Sequence, residues 1–264
     1  MILYPILLEL NLLVSYCLDK TEKNERFASS LMKKWNLKEV LKISIQKSLM
    51  EVFRKETPIS NLIGATAITI AVLTYLGVIE VYDVYFNKEL IFKEHQIYRL
   101  FTSLFFSGPF NLEFLISIIF LLQYSTTAEE SFFANRPGDF LFFILFGMIC
   151  IWTYSYFSSA VLLCQAFSSY MTYYCSKRAP DVVGIAFIFP VHMRSVYLNL
   201  LFLVLHLLLG NFPLLYLEIV GYLAAHAYFY FQDIFSLRYE INLLTAPKWL
   251  NKSLNRLLHN RNMD

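Results

Sequence analysis

Apolar and polar positions in this chain alternate in long blocks rather than residue by residue. Six blocks are apolar enough to be read as membrane-crossing helices: 61–79, 110–124, 140–157, 160–175, 195–210 and 213–233. A helix needs roughly 20 apolar residues to cross a hydrocarbon core of about 30 Å, and only helices or closed barrels satisfy their backbone there. Turn residues fill the breaks. Thr57-Pro58 stops any helix arriving from the N-terminal side, because the residue before proline avoids the helical region. Gly108-Pro109, Ser158-Ser159 and Asn211-Phe212-Pro213 separate other blocks, and Pro180 and Pro190 mark the loop before the fifth. The expected fold class is all-α: a polytopic membrane protein with six transmembrane helices.

The segments outside the blocks differ among themselves. Residues 1–18 are apolar but broken by Glu9 and Asn11, and they lack the positive start of a secretory signal. From 19 to 56 the chain is charged, with ten Lys or Arg. Within it Leu37, Val40, Leu41, Ser44, Ile45, Ser48 and Leu49 follow helical spacing, which fits an amphipathic helix on a membrane surface. A solvated basic tail fits equally, and a targeting leader is a further reading. The loop 80–108 is too polar to span and too aromatic for free coil, so it is expected to lie in the interface. The chain then divides into an N-terminal extension, 1–49, a membrane domain, 50–236, and a basic tail, 237–264.

Composition supports this division. The 264 residues are 57% hydrophobic and only 16% charged, with a mean hydropathy of +0.51, whereas a soluble domain is nearer a quarter charged. The net charge of +2 carries no case for nucleic acid. The placement of charge says more. With six spans, nineteen Lys and Arg fall on the side of the termini and three, Lys88, Lys93 and Arg99, on the other. The positive-inside rule therefore puts both termini in the cytosol. Cys17, Cys150, Cys164 and Cys175 form no CxxC, so neither a disulfide scaffold nor a zinc site is expected.

Candidate chemistry centres on the last block. Glu218 and His226 interrupt an apolar run, and an ionisable residue within the membrane is a functional hypothesis by default. Gly221 and Ala225 share a helix face, a small-xxx-small pair that lets a second helix approach. The fourth block is polar for its place, with Gln165, Ser168, Ser169 and Thr172. A serine protease would need a nucleophile, a base and an oxyanion hole. His226 is a candidate base, but Ser168 and Ser169 stand between Phe167 and Tyr170, and no GxSG occurs. No HExxH or other ligand spacing points to a metal, and no Walker A pattern points to ATP. Glu113, His206, Glu218 and His226 would suit a transport pathway, but no inverted repeat or broken-helix pair accompanies them. Tyr98-Arg99, just ahead of a span, reads as an interfacial anchor. Expected catalytic residues, metal and cofactor are therefore none.

Several of these segments together resemble the derlins, a pseudoprotease branch of the rhomboid superfamily. Tyr85-Phe86-Asn87-Lys88-Glu89-Leu90-Ile91-Phe92-Lys93 and Gln96-Ile97-Tyr98-Arg99-Leu100 are similar to the derlin first loop, and Phe105-Phe106-Ser107-Gly108-Pro109 to its end. Gln123-Tyr124-Ser125-Thr126, Glu129, Glu130, Phe133, Arg136, Asp139 and Phe140 resemble the cytosolic turn after the second span. Gln165-Ala166-Phe167, the run from Tyr228 to Asp233, and Leu244-Thr245-Ala246-Pro247 complete the likeness, over about residues 50–250. Met50-Glu51-Val52-Phe53-Arg54 is similar to a derlin start, which makes residues 1–49 a leader or an over-extended gene model. Tyr98-Arg99 takes the place of the family's WR motif, with Tyr for Trp. Gly221 and Ala225 take that of its GxxxG, with Ala for the second Gly.

The resemblance implies a rhomboid-like six-helix fold in the endoplasmic reticulum membrane, and a non-catalytic role in dislocating misfolded proteins to the cytosol for ubiquitin-dependent degradation. The implied partners are misfolded substrates, a membrane ubiquitin ligase complex and the lipid bilayer. A valosin-type AAA ATPase would be reached indirectly, since no glycine follows Gly221 to form the C-terminal box that binds it in some derlins. The expected mechanism joins short spans that thin the bilayer, residues 110–124 being only ~22 Å of helix, to a lateral gate between the second and fifth spans. The rival expectations are an active rhomboid-type intramembrane serine protease, a transporter, and a derlin-like preprotein translocation component of a complex plastid membrane, with residues 1–49 as leader.

Overall fold

A computed structural model describes residues 57–108, 112–134, 136–158, 160, 162–179, 183–185, 192–208, 210–239 and 244–260. The N-terminal extension, with its stripe at 37–49, lies outside them. α1 (Pro58–Tyr75) is followed by three short helices in the long loop, α2 (Val81–Val84), α3 (Lys88–Lys93) and α4 (Tyr98–Phe105). Then come α5 (Leu112–Thr127), α6 (Pro137–Phe157) and α7 (Cys164–Arg178). A two-stranded antiparallel hairpin, β1 (Val183–Ile185) with β2 (His192–Arg194), pairs Gly184 with Met193. The chain ends with α8 (Ser195–Leu208), α9 (Phe212–Phe229), α10 (Ser236–Tyr239) and α11 (Lys248–Asn260).

A helix thus stands at each of the six apolar blocks. Three stretches are long and apolar enough to cross a membrane: α1, α6, and the run Phe212–Tyr239 that joins α9 to α10. Each of the three starts with proline in its first turn. Proline has no N–H to leave unpaired there, and its fixed φ suits the helix start.

Two helices outrun the sequence expectation. The polar residues after Tyr124 read as a turn, but α5 continues to Thr127 and on through a π-helical segment, Ala128–Phe132. The last helix likewise continues through a π-helical segment, Tyr230–Phe235, into α10. After Tyr124 polarity was no sign of a turn, because Glu129 finds a protein partner at the start of α1; in the sixth block Asp233 likewise pairs with Arg178. The second apolar block is therefore not the short helix of the bundle. That place falls to α7, with 15 residues, and α8, with 14, about 22 and 21 Å long.

α7 is the hub, packing against α4, α5, α6, α8 and α9. It is the polar helix of the set, and it is buried on nearly all sides. Its hydroxyls would be costly in lipid; inside, they bond back to their own backbone, Thr172 to the Ser168 carbonyl at 2.8 Å and Ser176 to the Thr172 carbonyl at 2.7 Å. Large apolar residues of the surrounding helices, among them Leu62, Leu145, Ile149, Leu200 and Leu223, point outward and are exposed, as suits a lipid solvent. The core beside α7 is aromatic. The Phe143 ring lies 4.5 Å from Tyr170 and from Tyr174 and 4.9 Å from Tyr228. The Tyr170 hydroxyl donates to the Phe143 carbonyl at 2.8 Å, which gives the buried phenol its partner.

α9 comes closest to α7 at Gly221. A Cβ there would stand 2.3 Å from the Ala166 carbonyl oxygen and 3.0 Å from the Tyr170 nitrogen. Glycine is required because the two backbones touch. Ala225, one turn on, is fully buried.

Candidate functional site

The inner face of α8 repeats at three and four residues: Asn199, Phe202, His206. Such positions lie above one another on a helix. The other faces carry Leu200, Val204, Leu207 and Leu208, all exposed. This face contacts the bundle at each of these residues, and the Tyr222 hydroxyl of α9 also donates to the Asn199 carbonyl at 3.0 Å. The Asn199 amide donates to Ser176 Oγ at 3.0 Å. Phe202 meets Phe120 of α5 edge to face, with centroids 5.1 Å apart. His206 Nδ1 lies 3.0 Å from Glu218 Oε1, an ion-pair distance without the alignment of a hydrogen bond.

Glu218 of α9 is 1% exposed. Its Oε1 also accepts from the Gln165 amide of α7 at 3.1 Å, and Gln165 Oε1 is reached by Ser117 Oγ of α5 at 3.5 Å. Its Oε2 has no partner among the described residues, and neither has Asn199 Oδ1. Helices α5, α7, α8 and α9 therefore meet at one polar cluster behind the Phe120–Phe202 pair. A carboxylate out of water is costly unless paired and hydrogen-bonded, and here half of its hydrogen-bonding capacity is unused.

Sequence reading grouped Glu113, His206, Glu218 and His226 as a pathway set. The structure brings His206 and Glu218 together and adds Gln165 to them; the Glu113 side chain lies outside the described residues. His226 stands apart, exposed and hydrogen-bonded to the Tyr173 hydroxyl at 3.0 Å. That bond is to a phenol and not to Ser168 or Ser169, the serines a protease reading would have used. The sequence signal for the His206–Glu218 pair is their common turn. Gly210 has φ +66°, a left-handed conformation that glycine adopts without strain. It folds α8 back on α9, with each residue about two turns or less from the bend.

The loop residues form a second centre. Tyr98 is half exposed, but Arg99 is 4% exposed and turned into the protein. Arg99 Nη1 donates to the Tyr82 carbonyl at 2.6 Å and to that of Tyr85 at 3.4 Å, and Nη2 to Asp83 Oδ1 at 3.2 Å. Arg99 also lies over the Tyr98 ring, 5.6 Å from its centroid. The guanidinium thus clips α2 to α4. The loop is fixed to α6 through Trp152, whose indole N–H donates to the Leu100 carbonyl at 3.1 Å and whose ring meets Phe101.

A third centre gathers the ends of α5, α6 and α11. Glu129 is buried and caps α1, and Glu130 is half buried. Arg136 Nη1 lies 3.6 Å from Asp139 Oδ2. Asp139 Oδ1 accepts from the Ala246 N–H at 2.8 Å and the Asn251 amide at 3.3 Å, while Asn251 Oδ1 accepts from the Gly138 N–H at 2.7 Å. The basic tail therefore contains a helix docked on the start of α6. Nearby, Arg178 pairs with Asp233 and joins the ends of α7 and α9. Among the described residues, no three His, Cys, Asp or Glu side chains converge as a metal site would require.

Residues 58–248 match the Der1-like family. The chain is similar to Derlin-1 of Oryza sativa subsp. japonica, 30% identical over 208 residues that cover 78% of this chain and 85% of that protein. It is 29% identical over 212 residues to Derlin-1.2 of Zea mays, covering 78% and 84%. It is 28% identical over 208 residues to the probable derlin-2 homolog of Dictyostelium discoideum, covering 76% and 81%.

Proposed function

Because this chain belongs to the Der1-like family, we propose that it is a non-catalytic factor of endoplasmic-reticulum-associated degradation that helps move misfolded proteins across the membrane to the cytosol. In this reading six helices span the bilayer in a rhomboid-like arrangement with both termini cytosolic. The observation that carries it is the seam between α5 and α8. These helices meet through the Phe120–Phe202 pair, with a polar cluster directly behind it. α8 meets α5 through an aromatic contact, while its polar contacts are with α7 and α9, so it can part from α5 at small cost, and the polar groups behind it suit a chain that is itself polar. α8, whose outer faces are exposed, is also shorter than the roughly 30 Å hydrocarbon core. A short helix is accommodated by local thinning of the bilayer, and a thinner barrier lowers the cost of passing polar groups. Tyr98-Arg99 and the loop it organises would sit at the luminal leaflet. A membrane ubiquitin ligase complex would receive the substrate, and a valosin-type AAA ATPase, recruited through a partner, would pull it.

Two measurements test this. Depleting the protein and chasing a misfolded luminal protein should slow its loss; unchanged decay, with no ligase or AAA ATPase in pull-downs, would sink the reading. Joining Phe120→Cys to Phe202→Cys with a short thiol crosslinker should block dislocation, and cleaving the crosslink should restore it.

A further inference from the structure

The cluster behind the seam has an unbalanced chemistry. Glu218 Oε2 in it is an unpartnered acceptor, and Asn199 Oδ1, further along α8, is another. They belong to residues 1% and 7% exposed, and Asn199 stands about 10.5 Å along the α8 axis from His206, the residue that faces Glu218. Glu218 is the one carboxylate of the set, facing the Gln165 amide and the His206 imidazole. A buried carboxylate is costly unless it is paired and hydrogen-bonded, and neither Gln165 nor His206 reaches Oε2. A cationic donor supplies the missing bond and a charge partner together.

We propose that Glu218, with Gln165, is a binding site for a lysine or arginine side chain carried by a polypeptide segment that enters between α5 and α8. This rests on the gate reading above. When Phe202 parts from Phe120, His206 moves with α8, and Glu218 loses one of its two Oε1 neighbours at the moment the segment arrives. The incoming ammonium or guanidinium replaces it and takes up Oε2 as well. Asn199 Oδ1, further along the face, accepts a second donor of the same segment. The site thus favours apolar segments that contain a basic residue, which an intact bilayer holds poorly.

The test uses the full-length protein in liposomes and synthetic single-span peptides of about 20 residues. Each peptide carries a photoreactive side chain beside a central Lys, Leu or Glu. The Lys peptide should label α5 and α8 at least about tenfold more than the Leu peptide, the effect that one charge-assisted hydrogen bond supports, and the Glu peptide less than the Leu peptide. Glu218→Gln should bring Lys labelling down to the Leu level while Leu labelling persists, which shows that the variant is folded. Glu218→Asp, which keeps the charge, should retain part of the preference. Equal Lys and Leu labelling of the unaltered protein overturns the inference whatever the variants do, as does a Lys preference that survives Glu218→Gln. In either case Leu labelling of α5 and α8 leaves the gate reading standing. Absence of labelling by all three peptides overturns both.

Discussion

Glu129 takes both the backbone N–H and the hydroxyl of Ser60, sixty-nine residues earlier in the chain, at 2.7 and 2.6 Å. A third bond comes from the Ile59 N–H at 3.1 Å. The first turn of α1 has orphan N–H groups, and Thr57 does not cap them with its own side chain. A carboxylate from another helix does so instead and also meets the positive end of the helix dipole. Glu129→Ala should therefore lower stability by about 1–3 kcal/mol, and Ser60→Ala by less, since the backbone bonds remain. Thermal melting in detergent would read both.

Gly221 and Gly147 both face α7, but their neighbours differ in stiffness. A Cβ at Gly221 meets backbone at 2.3 Å, whereas at Gly147 it meets the Tyr170 ring at 2.6 Å. Backbone of a central helix cannot yield without moving the helix; a ring can turn, although Tyr170 would strain its bond to Phe143. Gly221→Ala should cost about 1–3 kcal/mol or prevent assembly, and Gly147→Ala less. The yield of folded protein on size-exclusion chromatography would rank them.

Arg99 holds α2 to α4 through two carbonyls and Asp83. Asp83 is half exposed, so solvent screens that attraction and most of the loss would come from the carbonyl bonds. Arg99→Ala should destabilise the loop by roughly 2–4 kcal/mol. Arg99→Lys should rescue little, because an ammonium cannot address donors in these separate directions. Limited proteolysis within residues 80–97 would rise in both variants, with the helical bundle left intact.

The docking of α11 on α6 passes through Asp139 and Asn251. Asn251→Ala removes one donor and one acceptor, and should free α11 at a cost of about 1–2 kcal/mol while the bundle melts as before. Asp139→Ala should be more severe, since it also releases Ala246 and leaves Arg136 without its carboxylate. Hydrogen exchange across 244–256 would report the release.

A protease reading would require a serine and His226. With His226 exposed and bonded to Tyr173, His226→Ala and Ser168→Ala should leave dislocation of a model substrate within about twofold of the unaltered rate, whereas loss of a catalytic dyad would remove activity by orders of magnitude. A pulse-chase comparison of the two variants would decide it.

The positions of the helices were legible in the sequence. Whether some 15 to 20 residues favour lipid over water depends mainly on their own side chains, so α1, α6 and α9 stand where the apolar blocks stand. Family membership was legible for a related reason: the loop from Tyr85 to Leu100 and the run from Gln123 to Phe140 carry their identity in order. The resemblance they showed agrees with the match over residues 58–248.

What only the tertiary structure decided is the fate of each polar group. Glu129 reads as a turn residue and is a buried cap; Arg99 reads as an interfacial anchor and is an internal clip. His206 and Glu218 read as two members of a loose set, and they are neighbours across the Gly210 turn. His226, next to Ala225 in the sequence, is outside. The physical reason is that apolar burial is additive and local, whereas a hydrogen bond is a relation between two groups. A carboxylate has the same formula in a loop, at a helix start or inside a bundle, and which of these it occupies depends on a partner that can lie more than a hundred residues away.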